Sequence, residues 1–90
     1  MRHHRNMTSF PLVMIDWVDS RQPVSTWRWL SSCEFQGVVK CQSVGWLIKD
    51  DNNIKVLAQN LGDLEGGDDM QVSGTIEIPT ACVTGIKNLP

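Results

Sequence analysis

Tyrosine is absent from the 90 residues, and histidine occurs only as His3 and His4. Both stand in a stretch, residues 1–9 (MRHHRNMTS), that has no periodicity and is expected to be a disordered tail. A cysteine or serine nucleophile needs a base within reach, and residues 10–90 hold no imidazole to serve as one. The three cysteines, Cys33, Cys41 and Cys82, are odd in number, and no two have C-x-x-C spacing. That count argues against a disulfide framework, and a zinc site built on these thiols would lack a fourth ligand. The cysteines read as small buried hydrophobes of a reducing compartment. No apolar run approaches the ~18 residues of a membrane-spanning helix. There is no G-x-S-x-G, no G-x-G-x-x-G and no G-x-x-x-x-G-K. The expectation is a non-enzyme with no cofactor and no metal.

Charge is scarce in one sign. The net charge is −2, and without Arg2 and Arg5 six basic residues face ten acidic ones. Broad binding of nucleic acid needs a basic face, which this balance does not supply. The basic N-terminus leads into no signal-type apolar run, so a cytosolic location is the expectation. The acidic residues Asp50, Asp51, Asp63, Glu65, Asp68 and Asp69 fall in predicted turns, where solvation accounts for them. The loop Asp63-x-Glu65-x-x-Asp68-Asp69 clusters oxygens, but it lacks the D-x-[DN]-x-[DN]-G order of a calcium loop.

What is present is a pattern of short strands. The length allows one domain, taken here as residues 10–90, and its core must be thin. Oligomerisation is a common remedy for such a core. Leu12–Asp19 (LVMIDWVD) alternates and is rich in β-branched and aromatic residues, as a half-buried strand requires. Val38–Lys49 is a long strand with Gly45 inside it, which predicts a bulge or bend there. Asp50-Asp51-Asn52-Asn53 is a strong hairpin turn, because Asn and Asp tolerate the left-handed conformations that tight turns require. Ile54–Asn60, Met70–Ile78 and Cys82–Leu89 complete five strands, the last two separated by the tight turn Pro79-Thr80-Ala81. Val24–Phe35 is ambiguous. Val24, Trp27 and Leu30 stand three apart and predict a short helix, with a long irregular loop as the alternative. The expected inward set is Val13, Ile15, Trp17, Val39, Cys41, Leu47, Val56, Ala58, Ile76, Ile78, Val83 and Ile86.

Four tryptophans stand out in so short a chain: Trp17, Trp27, Trp29 and Trp46. The simplest expectation puts all four in the core. The alternative is an exposed Trp beside Arg28, which is a strong interface anchor or a base-stacking platform.

The order of these elements resembles the small β-barrels. Residues 74–89, GTIEIPTACVTGIKNL, resemble the end of an SH3 domain, where a Gly-led strand runs into Ile-Pro, a one-turn helix and a short strand. Residues 43–60, SVGWLIKDDNNIKVLAQN, are similar to the central hairpin of the Sm-like barrels, which share that plan. The resemblance covers about half the chain. The whole also resembles short phage and environmental proteins of unassigned function, through Ser43-Val44-Gly45-Trp46-Leu47 and the Ile78-Pro79-x-x-x-Val83 ending. The implied fold is mainly β, a five-stranded SH3-like or Sm-like barrel with a short helix or long loop after the first strand. SH3 domains bind proline-rich peptides through several Tyr. Here Tyr is missing and Cys82 takes the place of the groove Tyr, so that binding mode is not carried over. Sm-like proteins bind RNA through a loop Asn, but Asn52 and Asn53 follow Asp50 and Asp51, which repel phosphate.

Two function classes follow. The first is a non-enzymatic module that self-associates through open sheet edges and the Trp27–Trp29 segment. The second is an RNA or small-nucleotide binder, with phosphate held by Arg21, Arg28, Lys40, Lys55 or Lys87. The expected binding set is Trp27, Arg28, Trp29, Arg21, Lys40 and Lys55. The expected partner is a second copy of the chain, with a protein, nucleic acid or nucleotide possible and no membrane.

Overall fold

The computed structural model describes residues 10–65 and 69–90. The predicted tail, residues 1–9, and part of the acidic loop, residues 66–68, lie outside the described residues. The fold is mainly β. Five strands form one antiparallel sheet: β1 (Leu12–Asp19), β2 (Val39–Asp50), β3 (Ile54–Gly62), β4 (Gln71–Pro79) and β5 (Val83–Asn88). Their spatial order is β4-β3-β2-β1-β5, so β4 and β5 are the two outer strands. A single turn of 3₁₀ helix, Thr80–Cys82, joins them at the predicted Pro79-Thr80-Ala81 break.

The long strand β2 serves two partners in succession. Val39 to Trp46 pair with β1, and Trp46 to Asp50 pair with β3. A register shift between Leu47 and Lys49 marks where the strand turns from one to the other. This bulge lies just beyond Gly45, where the bend was expected. Gly45 has a different task. A Cβ there would stand 2.8 Å from the Ala58 carbonyl oxygen and 3.1 Å from the Leu57 Cβ, so β2 and β3 approach each other only over a bare α-carbon.

The core is small, as the chain length demands. Val13, Ile15, Leu57 and Ile78 are fully buried and form one cluster, with Trp17, Leu47, Ile76 and Val83 packed against it. Each buried side chain of this size is worth roughly 1.5–3 kcal/mol. The expected inward set needs correction at its margins. Leu57 belongs to the core, although alternation along β3 assigned it to the face opposite Val56 and Ala58. All three are buried, because β3 is covered on both faces at this point. Ile86 is 47% exposed, since the β5 edge has no neighbour to cover it. Val39 and Cys41 are only half-buried. All three cysteines are free.

The hairpin between β2 and β3 forms where it was expected, but none of residues 50–53 takes the expected left-handed conformation; the Asp51 side chain holds the turn instead. The backbone N–H groups of Asn53 and Ile54 both donate to Asp51 Oδ1 at 2.8 Å. These two bonds hold the Asp51 carboxyl below the usual aspartate pKa. The same turn braces the far corner: Thr80 donates its N–H to the Asn53 carbonyl at 3.0 Å and its hydroxyl to the Asp51 carbonyl at 2.8 Å.

The predicted helix over Val24–Phe35 does not form. Among the described residues of this stretch the only regular structure is one 3₁₀ turn, Leu30–Ser32. A helix this short is sustained by burying one face, and here no surface is offered to it. Among the described residues no helix is long and apolar enough to cross a membrane.

Candidate functional site

Residues 20–38 leave the sheet between β1 and β2 and form an arm. At its base Asp19 and Val39 are paired across the two strands. Just above, Arg21 Nε donates to the Gly37 carbonyl at 2.7 Å, and Gly37 takes a left-handed φ of 83° that turns the chain back. Beyond this clasp, every arm residue except Cys33 is exposed.

The composition of the arm is unusual for an exposed segment. Trp27 is 101% exposed, Trp29 83%, Leu30 78% and Phe35 75%. Val24 and Val38 are also largely open. The expectation that all four tryptophans pack in the core is therefore corrected: Trp17 packs against it, Trp46 is half-buried, and Trp27 and Trp29 are exposed. Trp17 is half-buried and donates its indole N–H to Ser43 Oγ at 3.0 Å, and Trp46 is half-buried on β2. Trp27, Arg28 and Trp29 lie outside any strand, between a bend at Thr26 and the 3₁₀ turn, and Trp29 itself is extended at φ −71° and ψ 132°. An open groove of about 240 Å³ is lined by Trp27, Arg28 and Trp29.

The predicted binding residues fall into two places. Trp27, Arg28 and Trp29 stand together on the arm, and Arg21 closes its base. Lys40 is exposed on β2 opposite Val18, one residue beyond the pair at the arm's base. It lines an open cleft of about 680 Å³ with Trp17, Cys41 and Thr84. In that cleft Gln42 donates its side-chain N–H to Asp16 Oδ1 at 2.8 Å. Lys55 is elsewhere. It stands beside the β2–β3 turn and is ion-paired with Asp50. Lys87 lies on the outer strand β5, opposite Met14. The five basic residues thus do not converge on one patch.

Phe35, Leu30, Val24 and Val38 were not singled out from the sequence as surface residues. Their signal was available only in retrospect: these apolar residues lie in a stretch with Pro23 and Gly37 that pairs with no strand.

The chain matches no protein-family model, no curated protein and no solved structure at a significant level.

Proposed function

We propose that this chain is a non-enzymatic interaction module that self-associates, with the arm as its contact surface. The exposed apolar arm carries this reading. A covered aromatic side chain buries about 150–250 Å², so Trp27, Trp29 and Phe35 supply roughly 500–600 Å² between them. A stable complex buries about 800 Å² per partner, and the aliphatic residues of the arm make up much of the difference. Monomeric proteins seldom leave so many large apolar side chains open on one segment. The strand order and the one-turn link between β4 and β5 support an SH3-like or Sm-like sheet, whose open edges are natural sites of assembly. The free thiols Cys33, Cys41 and Cys82 accord with a reducing, cytosolic setting.

A second reading has one observation in its favour. Two exposed indoles that flank Arg28 and line one open groove with it are also suited to stacking nucleobases. Against RNA or nucleotide binding stand the ion pair that occupies Lys55 and the place of Lys87 on the outer strand β5.

Sedimentation equilibrium at low and high salt, followed at 280 and 260 nm on protein purified without nuclease, separates the two. Self-association predicts a discrete oligomer that persists at high salt and carries a clean protein spectrum. A monomer, or a species whose excess 260 nm absorbance is stripped by salt, puts the nucleotide reading first.

A further inference from the structure

The sheet has two open edges, and they differ in what they offer. β4 is the longer, Gln71–Pro79, and its only charge is Glu77. β5 is Val83–Asn88 and carries Lys87. Short length and an edge lysine are ways in which proteins block edge pairing, so β5 is the guarded edge and β4 the open one.

β4 also presents two unlike faces. Ile78 is fully buried and Ile76 is packed against the core, while Glu77 between them is exposed on the opposite face. Val72, further along the strand, is 43% exposed. The arm carries a matching order, Trp27-Arg28-Trp29, outside the five strands. Paired as a strand, this segment would set Trp27 and Trp29 on one side and Arg28 on the other. The charges are opposite and the spacing is the same, apolar-charged-apolar on each. Among the described residues, the arm's backbone bonds include Ser32 N–H to the Trp29 carbonyl at 2.9 Å, Cys33 N–H to the Leu30 carbonyl at 3.1 Å, and the Arg21 and Cys33 side chains to the Gly37 and Trp29 carbonyls.

We infer that the segment Val24–Trp29 of one copy adds as an extra strand to the outer edge of β4 in a second copy. This inference rests on the self-association reading and names its contact. Pairing of the backbones satisfies the open groups of both segments. Trp27 and Trp29 then cover the apolar side of β4 beside Ile76, and Arg28 lies on the side of Glu77. Neighbouring residues on one face of paired strands interact directly, and opposite charges there are favourable. Addition to β5 would instead set Arg28 near Lys87. Each copy offers one arm and one β4 edge, so every contact is between an arm and an edge of different copies.

The test is a charge-reversal cycle on the full chain, read by sedimentation equilibrium. Both residues are exposed, and unchanged thermal melting confirms that each variant folds. Arg28→Glu and Glu77→Arg are each expected to weaken self-association about tenfold, and the double variant to recover most of that loss. Lys87→Glu is expected to leave association within about twofold. If neither reversal weakens association while Trp27→Ala does, the arm is the contact but β4 is not its acceptor, and the inference fails alone. If the wild type is monomeric, with or without bound nucleic acid, the inference and the self-association reading fail together.

Discussion

The cluster of Val13, Ile15, Leu57 and Ile78 and the arm of residues 20–38 spend similar residues in opposite ways. In the cluster, side chains from β1, β3 and β4 meet and none is exposed. In the arm, larger side chains are mostly uncovered, and Trp27 is as open as in a free peptide. Apolar content alone does not decide burial; pairing does. β1 is fixed by neighbours on both sides, β2 and β5, so its inward residues have a surface to close on. Among the described residues the arm is held at its root by the clasp between Arg21 and Gly37 and within itself by the one 3₁₀ turn. The buried apolar contacts thus reside in the sheet, and the apolar surface of the arm is left uncovered.

The sharpest way to break this contrast is to truncate each region in turn. Leu57→Ala or Ile78→Ala is expected to cost about 2–5 kcal/mol in urea unfolding, enough to unfold a domain of this size in part. A smaller loss is expected at the seam between β2 and β3. Gly45→Ala forces a methyl to within 2.8 Å of the Ala58 carbonyl, and the strands must part at a cost of about 1–3 kcal/mol in the same assay.

The turn at Asp51 gives a pH-dependent version of the comparison. Its carboxyl is held below the ordinary value by the N–H groups of Ile54 and Asn53. A carboxylate of lowered pKa stabilises the fold above its unfolded pKa, ~3.9 for Asp, and loses that contribution as pH falls through the lower folded value. Melting temperature is therefore expected to drop more steeply in the wild type than in Asp51→Asn as pH is taken from about 5 towards 2, with the gap between them closing. A constant gap over that range would contradict the assignment. The smallest effect on stability belongs to the arm itself. Trp27→Ala and Trp29→Ala are expected to change the unfolding free energy of the dilute protein by less than about 0.5 kcal/mol. Loss of several kcal/mol there would mean that the arm packs on its own sheet after all.

Much of the sheet was legible in the residues. Leu12–Asp19 alternates cleanly and is strand β1 with the same bounds. Asp51 and Asn53 make the turn that their chemistry favours, and Pro79 ends β4 where the one-turn link begins. The failures have identifiable causes. Val24, Trp27 and Leu30 stand at a spacing that mimics one face of a helix, but a stripe is sustained only by something to bury it. Leu57 was misplaced because alternation assumes one dry face, whereas β3 is buried on both from Val56 to Ala58. The shift between Leu47 and Lys49 arises from the change of partner along β2, which no local pattern records. For the site, Trp27, Arg28 and Trp29 were visible as an unusual cluster. That Arg21 clasps the arm and that Lys55 is held by Asp50 are facts of three-dimensional placement.

The central claim is that the arm's indoles are open in the lone chain and covered when copies meet. Acrylamide quenching of tryptophan fluorescence, measured across a dilution series that spans dissociation, tests it most directly. The account predicts strong quenching in dilute protein that weakens as the oligomer forms, with Trp27→Ala/Trp29→Ala showing no such change. Quenching that stays strong and independent of concentration would contradict it.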